Sequence, residues 1–271
     1  MKRLVVLFAV ILLGATQSRA QVQYRLAGPI DDAEQIACAF NDQQLALLEK
    51  LNRCDRDQLV KLPGIVVPSK WDRHEAEYSP LPNSISWAEQ LPKTIIVHKP
   101  LQAFGAYESG ELVHWGPVST GAEKSRTPNG AFFLNWRSTG HRSTVNQDWF
   151  LRWYFNFHND RGHSFHQYQL PGVPASHGCV RLLSRDAQWI YEWGEEWELD
   201  ERGWNIETQG SPVVLVGEYD FQNSPPWREP SLVESGFELS RNGYWLSREA
   251  LNLARAQLAD LLGPDDVATD D

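Results

Sequence analysis

The chain has 271 residues, 42% of them hydrophobic, which is enough to bury at least one full core. Its formal net charge is −10, so nothing electrostatic draws it to nucleic acid or to an anionic membrane surface. Twelve tryptophans suit a core or a groove for sugars or peptides equally well.

At the N-terminus, Lys2-Arg3 precede the apolar run Leu4–Leu13, and Ser18-Arg19-Ala20 offers small residues at the −3 and −1 positions of a cleavage site. A membrane span needs about 20 apolar residues, so residues 1–20 read as a cleaved secretory signal and not as an anchor. No later segment is long and apolar enough to cross a bilayer, and no cysteine follows the cleavage site to carry a lipid. Export brings an oxidising compartment in which Cys38 and Cys54 have the opportunity to pair. Cys179 then remains as an odd thiol, which invites oxidation unless it is used.

Residues 31–68 read as a small helical module. Asp31-Asp32 caps a helix through Ile36, and Asn41-Asp42 caps a second with Leu45, Leu48 and Leu51 on one face. A third runs from Asp55 to Leu62 and stops at Pro63-Gly64, followed by the short strand Ile65–Pro68. The stretch "LLEKLNRCDRDQLVKLPGIVVP" resembles a degenerate LysM-like module; a plain helical subdomain is the alternative. Residues 69–92, rich in Pro, Ser, Trp and charge, read as a linker packed on the surface.

From residue 93 the pattern changes to strands. Thr94–Val97 and Ala103–Tyr107 lead to a turn at Glu108–Glu111, and Leu112–Ser119 returns as hairpin partner. Further strands are expected at 131–136, 149–157, 164–168 and 212–216, with a helix from Ser184 through Tyr191. Many short strands with Gly/Pro turns and few helices predict a mainly β chain, a β-sandwich over 93–218. Residues 219–271 read as an extension whose helix, Ser247–Leu262, carries Leu251, Ala254, Leu258 and Leu261 on one docking face before an acidic, disordered end.

The chemistry centres on "PASHGCVRL", residues 174–182. A lone cysteine is most often a small buried hydrophobe. A zinc site would draw on His163, His166, His177 and Cys179, but no paired Cys-x-x-Cys or His-Glu-x-x-His spacing is present. The surroundings favour a reactive thiolate instead. Gly178 permits close backbone approach, the amides of Gly178 and Cys179 are placed to form an oxyanion pocket, and Arg181 or an imidazolium would lower the thiol pKa.

"SHGCVRL" resembles the signature of the L,D-transpeptidase (YkuD) catalytic domain, and "TPNGAFFL" and the hairpin over 95–121 resemble its other segments, together covering about residues 93–217. The resemblance implies a mostly β fold outside the cytoplasmic membrane, in the periplasm, acting on peptidoglycan stem peptides without a cofactor. Cys179 would attack the carbonyl next to a terminal D-alanine and hold a thioester. An amine of a second stem peptide, or of an outer-membrane lipoprotein, would then resolve it. Water as acceptor would make the protein a hydrolase on the same scaffold; a silent peptidoglycan-binding protein is the further alternative.

The family's upstream histidine, both base and acid, follows an apolar residue at a strand end, as His166 does after Phe165. His163, at a more usual interval from Cys179, ranks second and His158 third. His177 is expected to orient the loop, Arg181 to bind a substrate carboxylate or pair internally with Asp186, and Ser176 to hydrogen-bond within the loop beside the substrate.

Overall fold

The computed structural model describes residues 22–30, 32–228, 252 and 254–262, so the secretory signal read over 1–20 and the acidic end lie outside the described residues. The N-terminal module holds β1 (Tyr24–Ala27), α1 (Ala33–Ala39), α2 (Asp42–Asn52), α3 (Arg56–Leu59) and β2 (Ile65–Pro68). The caps are as expected: Asp32 accepts from the Gln35 amide, and Asn41 and Gln44 form a reciprocal capping box. The helical reading missed β1, which pairs antiparallel with β2 from Tyr24↔Pro68 to Ala27↔Ile65. Four residues with only Tyr24 buried give no alternation to read; β2 makes this segment a strand.

Fully buried Asn52 ties the module together. Its Nδ2 donates to the Leu48 and Val66 carbonyls, and its Oδ1 accepts from the Val66 amide at 2.8 Å. Cys54 lies in the module core with Leu45, Leu48 and Leu59, whereas Cys38 is exposed on α1. Both are free thiols, so the expected pairing is not made: burial of one side chain under the helices and exposure of the other point them to different environments.

The remaining strands are β3 (Thr94–His98), β4 (Ala103–Glu108), β5 (Glu111–Ser119), β6 (Gly130–Phe133), β7 (Arg137–Arg142), β8 (Phe150–His158), β9 (His163–Gln167), β10 (Val180–Leu182), β11 (Glu198–Leu199), β12 (Ile206–Thr208) and β13 (Pro212–Val216). β11 and β12 form a separate hairpin, and the other nine make one sheet in the order β6-β13-β3-β4-β5-β10-β9-β8-β7. Pairing is antiparallel except for β13 with β3 and β10 with β9. The mainly β expectation holds, with the sandwich formed by one continuous sheet curled on itself. Phe132 near one edge meets Phe157 near the other with ring centroids 5.7 Å apart. Ile95, Val97, Phe104, Phe155, Phe165, Val180 and Leu215 fill the enclosed core, and α4 (Ser184–Trp193) adds Ala187 and Ile190.

Two flanking segments complete the packing. Within residues 69–92, Ile85, Trp87, Ala88 and Leu91 pack against Ile96, Tyr107, Val214 and Val216 on the outer side of the sheet. The helix over 254–262, α5, docks on the same layer through Ala254 and Leu258, with Leu262 partly buried there and Leu261 40% exposed. Replacing fully buried Leu258 with Ala should therefore destabilise the protein by about 2–5 kcal/mol. A lowered midpoint in urea unfolding checks it; an unchanged midpoint would show that α5 is not part of the folded body.

Candidate active site

The site is built on the parallel ladder between β9 and β10, where Val180 pairs with Phe165 and Arg181 with His166. Residues in register across a ladder share a face, and successive residues alternate faces. Phe165, Val180 and Leu182 therefore point into the core, which leaves Ser164, His166, Cys179 and Arg181 on the opposite face. His166, Cys179 and Arg181 line one cleft with Tyr168, Ser176 and His177, roofed by Val145 and Trp149 from the connection between β7 and β8.

His166 is buried, and its Nδ1 lies 3.1 Å from the Gln167 carbonyl. A carbonyl only accepts, so the ring proton sits on Nδ1 and Nε2 keeps its lone pair for a proton. Burial, opposed by the Gln167 bond and aided by the neighbouring Arg181 charge, takes the imidazolium pKa down to about 4, so the ring is neutral near neutral pH. His163 occupies the face of Phe165, with Nδ1 buried and unpartnered among the described residues. Its Nε2 lies under Gly178: a Cβ there would come within 2.6 Å of it. With φ +114 as well, position 178 requires glycine. His158 packs its ring on Phe132 and His163 and does not line the cleft.

Cys179 is half-buried, and burial raises its thiol pKa. Opposing that rise, the Ser164 hydroxyl donates to Sγ at 3.5 Å, and Arg181 adds a favourable charge. The sequence reading missed Ser164; its place two residues before His166, on the same face of a strand, was the available signal. A buried chain continues behind it. The Tyr154 hydroxyl donates to the Gly162 carbonyl at 3.3 Å, Asn156 Nδ2 donates to the Tyr154 hydroxyl, and Asn135 Nδ2 donates to Asn156 Oδ1 at 2.8 Å.

Ser176 hydrogen-bonds within the loop: its hydroxyl donates to the Cys179 carbonyl at 2.5 Å and accepts the Gly178 amide at 3.1 Å. The same bond takes the Gly178 amide out of the expected oxyanion pocket, because an N–H already donated inside the turn is not free for a developing charge. His177 is exposed, with its ring 5.1 Å from Trp149, at the cleft rim and away from the loop-orienting hydrogen bonds. Arg181 does not pair with Asp186, whose carboxylate is buried against His114 Nε2 at 2.9 Å and Lys50 Nζ at 3.8 Å. The Arg181 guanidinium instead stands 4.6 Å over the Tyr168 ring and donates to the Gln169 carbonyl at 3.3 Å, which leaves its charge open to the cleft. Among the described residues no three His, Cys, Asp or Glu side chains gather as a metal set.

A thiol, a neutral imidazole and an unpaired guanidinium on one cleft wall form a set suited to nucleophilic acyl chemistry on a carboxylate-bearing substrate. Residues 92–215 match the family model of the L,D-transpeptidase catalytic domain, YkuD, and the chain carries a domain of that family over this stretch. Comparison with curated proteins gave no match. Among solved structures the chain is similar to an L,D-transpeptidase (Yku) from Stackebrandtia nassauensis, at 26% identity over 47% of this chain and 57% of that one, with a TM-score of 0.39. It is also similar to an L,D-transpeptidase from Mycobacterium smegmatis, at 16% identity over 46% of this chain and 59% of that one, TM-score 0.37. L,D-transpeptidase 3 from Mycobacterium tuberculosis, in complex with a faropenem-derived adduct, gives 18% identity over 46% and 60%, TM-score 0.37. The chain thus spans less than two thirds of each of these proteins.

The Ser164 bond to Sγ gains strength when sulfur is ionised. Ser164→Ala should move the pH midpoint of iodoacetamide alkylation at Cys179 up by about 0.5–1 pH unit, the worth of one hydrogen bond. Peptide mapping of the Cys179 adduct against pH measures it, and an unmoved profile would remove Ser164 from the site.

Proposed function

We propose that the protein is an exported cysteine L,D-transpeptidase acting on peptidoglycan stem peptides. The observation that carries this reading is the shared cleft wall of Cys179, His166 and Arg181 within a stretch matching the L,D-transpeptidase catalytic domain. Export is supported by the basic start, the apolar run and the small-residue exit within residues 1–20, and it agrees with a substrate outside the cytoplasm.

In the resting site, raised thiol and lowered imidazolium pKa values favour the neutral pair over the ion pair. Proton transfer is therefore coupled to attack. His166 Nε2 takes the Sγ proton as sulfur bonds to the carbonyl carbon between the L-centre of diaminopimelate and the terminal D-alanine. The tetrahedral adduct collapses when the C–N bond breaks. The imidazolium gives its proton to the departing D-alanine amine, and the acyl group remains on sulfur as a thioester. An acceptor amine, from a second stem peptide or a lipoprotein side chain, attacks that carbonyl and loses its proton to His166, and the C–S bond breaks to restore the thiol. Arg181 holds a carboxylate of the donor peptide, orienting its carbonyl toward sulfur. Water in place of the amine runs the same two steps to hydrolysis, so acceptor access alone decides between the outcomes.

Cys179→Ala should abolish D-alanine release from diaminopimelate-containing tetrapeptide muropeptides, as read by mass spectrometry with and without an amine acceptor; undiminished release would overturn the reading. His166→Ala should lower the rate by about 10²-fold or more, the usual worth of a positioned acid–base, while His163→Ala keeps the larger share. The reverse order would reassign the base to His163.

A further inference from the structure

The loop from Tyr168 to Ala175, which joins the base strand to the cysteine turn, is held at its two ends by different parts of the molecule. At the end near Cys179, β5 does the holding: the Ser119 hydroxyl donates to the Val173 carbonyl at 2.8 Å and accepts the Ala175 amide at 3.0 Å. At the other end the partner is the N-terminal module. The Leu170 amide donates to Asp55 Oδ2 at 2.5 Å, and the Asp55 amide donates back to the Leu170 carbonyl at 3.1 Å. Both main-chain groups of this fully buried residue are thus taken by one aspartate outside the matched domain. Next to it Cys54 forms a β-bridge with Pro171. Gly172 (φ +84) packs so closely on Arg228 that a Cβ would meet its guanidinium at 2.5 Å.

The two residues before Leu170 are the ones that hold Arg181. Tyr168 supplies the ring beneath its guanidinium and Gln169 the carbonyl that accepts from it. Any shift of Leu170 therefore moves both supports of the charge together. We infer that Asp55 is a positioning residue of the cleft, through which the N-terminal module fixes Arg181 where a substrate carboxylate must bind. This rests on the reading of Arg181 as a carboxylate clamp. It assigns the module a part in donor recognition, distinct from any ligand of its own.

The test compares two alkylating agents of similar size at Cys179 in the full chain, read by peptide mass spectrometry. Iodoacetate carries a carboxylate and iodoacetamide does not, so the ratio of their rates reports the Arg181 charge without requiring the natural substrate. Arg181→Gln should lower the ratio by about fivefold, the worth of one nearby charge at a partly screened site. Asp55→Ala should lower it comparably with the iodoacetamide rate near wild type, whereas a general loosening of the fold would change both rates. Asp55→Asn, whose amide oxygen still accepts the Leu170 amide, should restore the ratio. Asp55→Glu keeps the charge but, one methylene longer, displaces the loop and should lose it, which covers the case of an Asp55→Ala chain that does not fold. If Arg181→Gln lowers the ratio and neither Asp55→Ala nor Asp55→Glu does, the inference is overturned while the clamp stands. If Arg181→Gln leaves the ratio unchanged, the clamp reading fails and takes the inference with it.

Discussion

The parallel pairing of β9 with β10 is the constraint on which the rest of the site depends. With Val180 opposite Phe165, alternation sends one set of side chains into the core and the other into the cleft. A slip of one residue in either strand would turn Cys179 or His166 into the apolar core and Val180 or Phe165 out of it, exchanging apolar core for polar groups without partners. The burial that makes the curled sheet stable is therefore the same force that keeps thiol, imidazole and guanidinium on a common wall. Gly178, pressed over His163, and Ser176, spent within the turn, fix the last degrees of freedom of the cysteine backbone.

The electrostatics of that wall follow from burial. Desolvation raises the thiol pKa and lowers the imidazolium pKa, so each group rests in its neutral form. Such a site keeps its sulfur less prone to oxidation than an exposed thiolate. The polar chain from Asn135 through Asn156 and Tyr154 to the Gly162 carbonyl shows why a polar line can cross the sheet interior: each member satisfies the next.

Much of this was legible in the sequence. Strands with apolar runs, such as Ile95–Val97 and Val213–Val216, and helix starts with capping residues, such as Asn41, announce themselves through local chemistry. The segment Arg137–Arg142 does not, because "RSTGHR" has no apolar alternation and becomes a strand only by pairing with β8. Cys179, His166 and Arg181, singled out by motif and strand position, lie together on one cleft wall. Asp55 was not legible, because it acts across 115 positions of chain and that relation leaves no local pattern, while Ser164 offered only its place two residues before His166 on one face of β9.

The Lys50 ammonium bears on where this molecule is divisible. It leaves α2 of the N-terminal module, donates to the Trp115 carbonyl at 2.6 Å, and lies 3.8 Å from Asp186, a carboxylate with no solvent exposure. Arg53, equally buried, donates to the Leu101 carbonyl at 2.9 Å. Cutting the chain at the start of the matched domain would strip one cation from a buried carboxylate, leave two carbonyls without donors, and open the packing of Trp115 on Leu51 and Tyr24. The region related by family and the unit that folds are thus different objects here. An exchange of modules between relatives would have to carry Lys50, Arg53 and their receiving carbonyls as one inherited block.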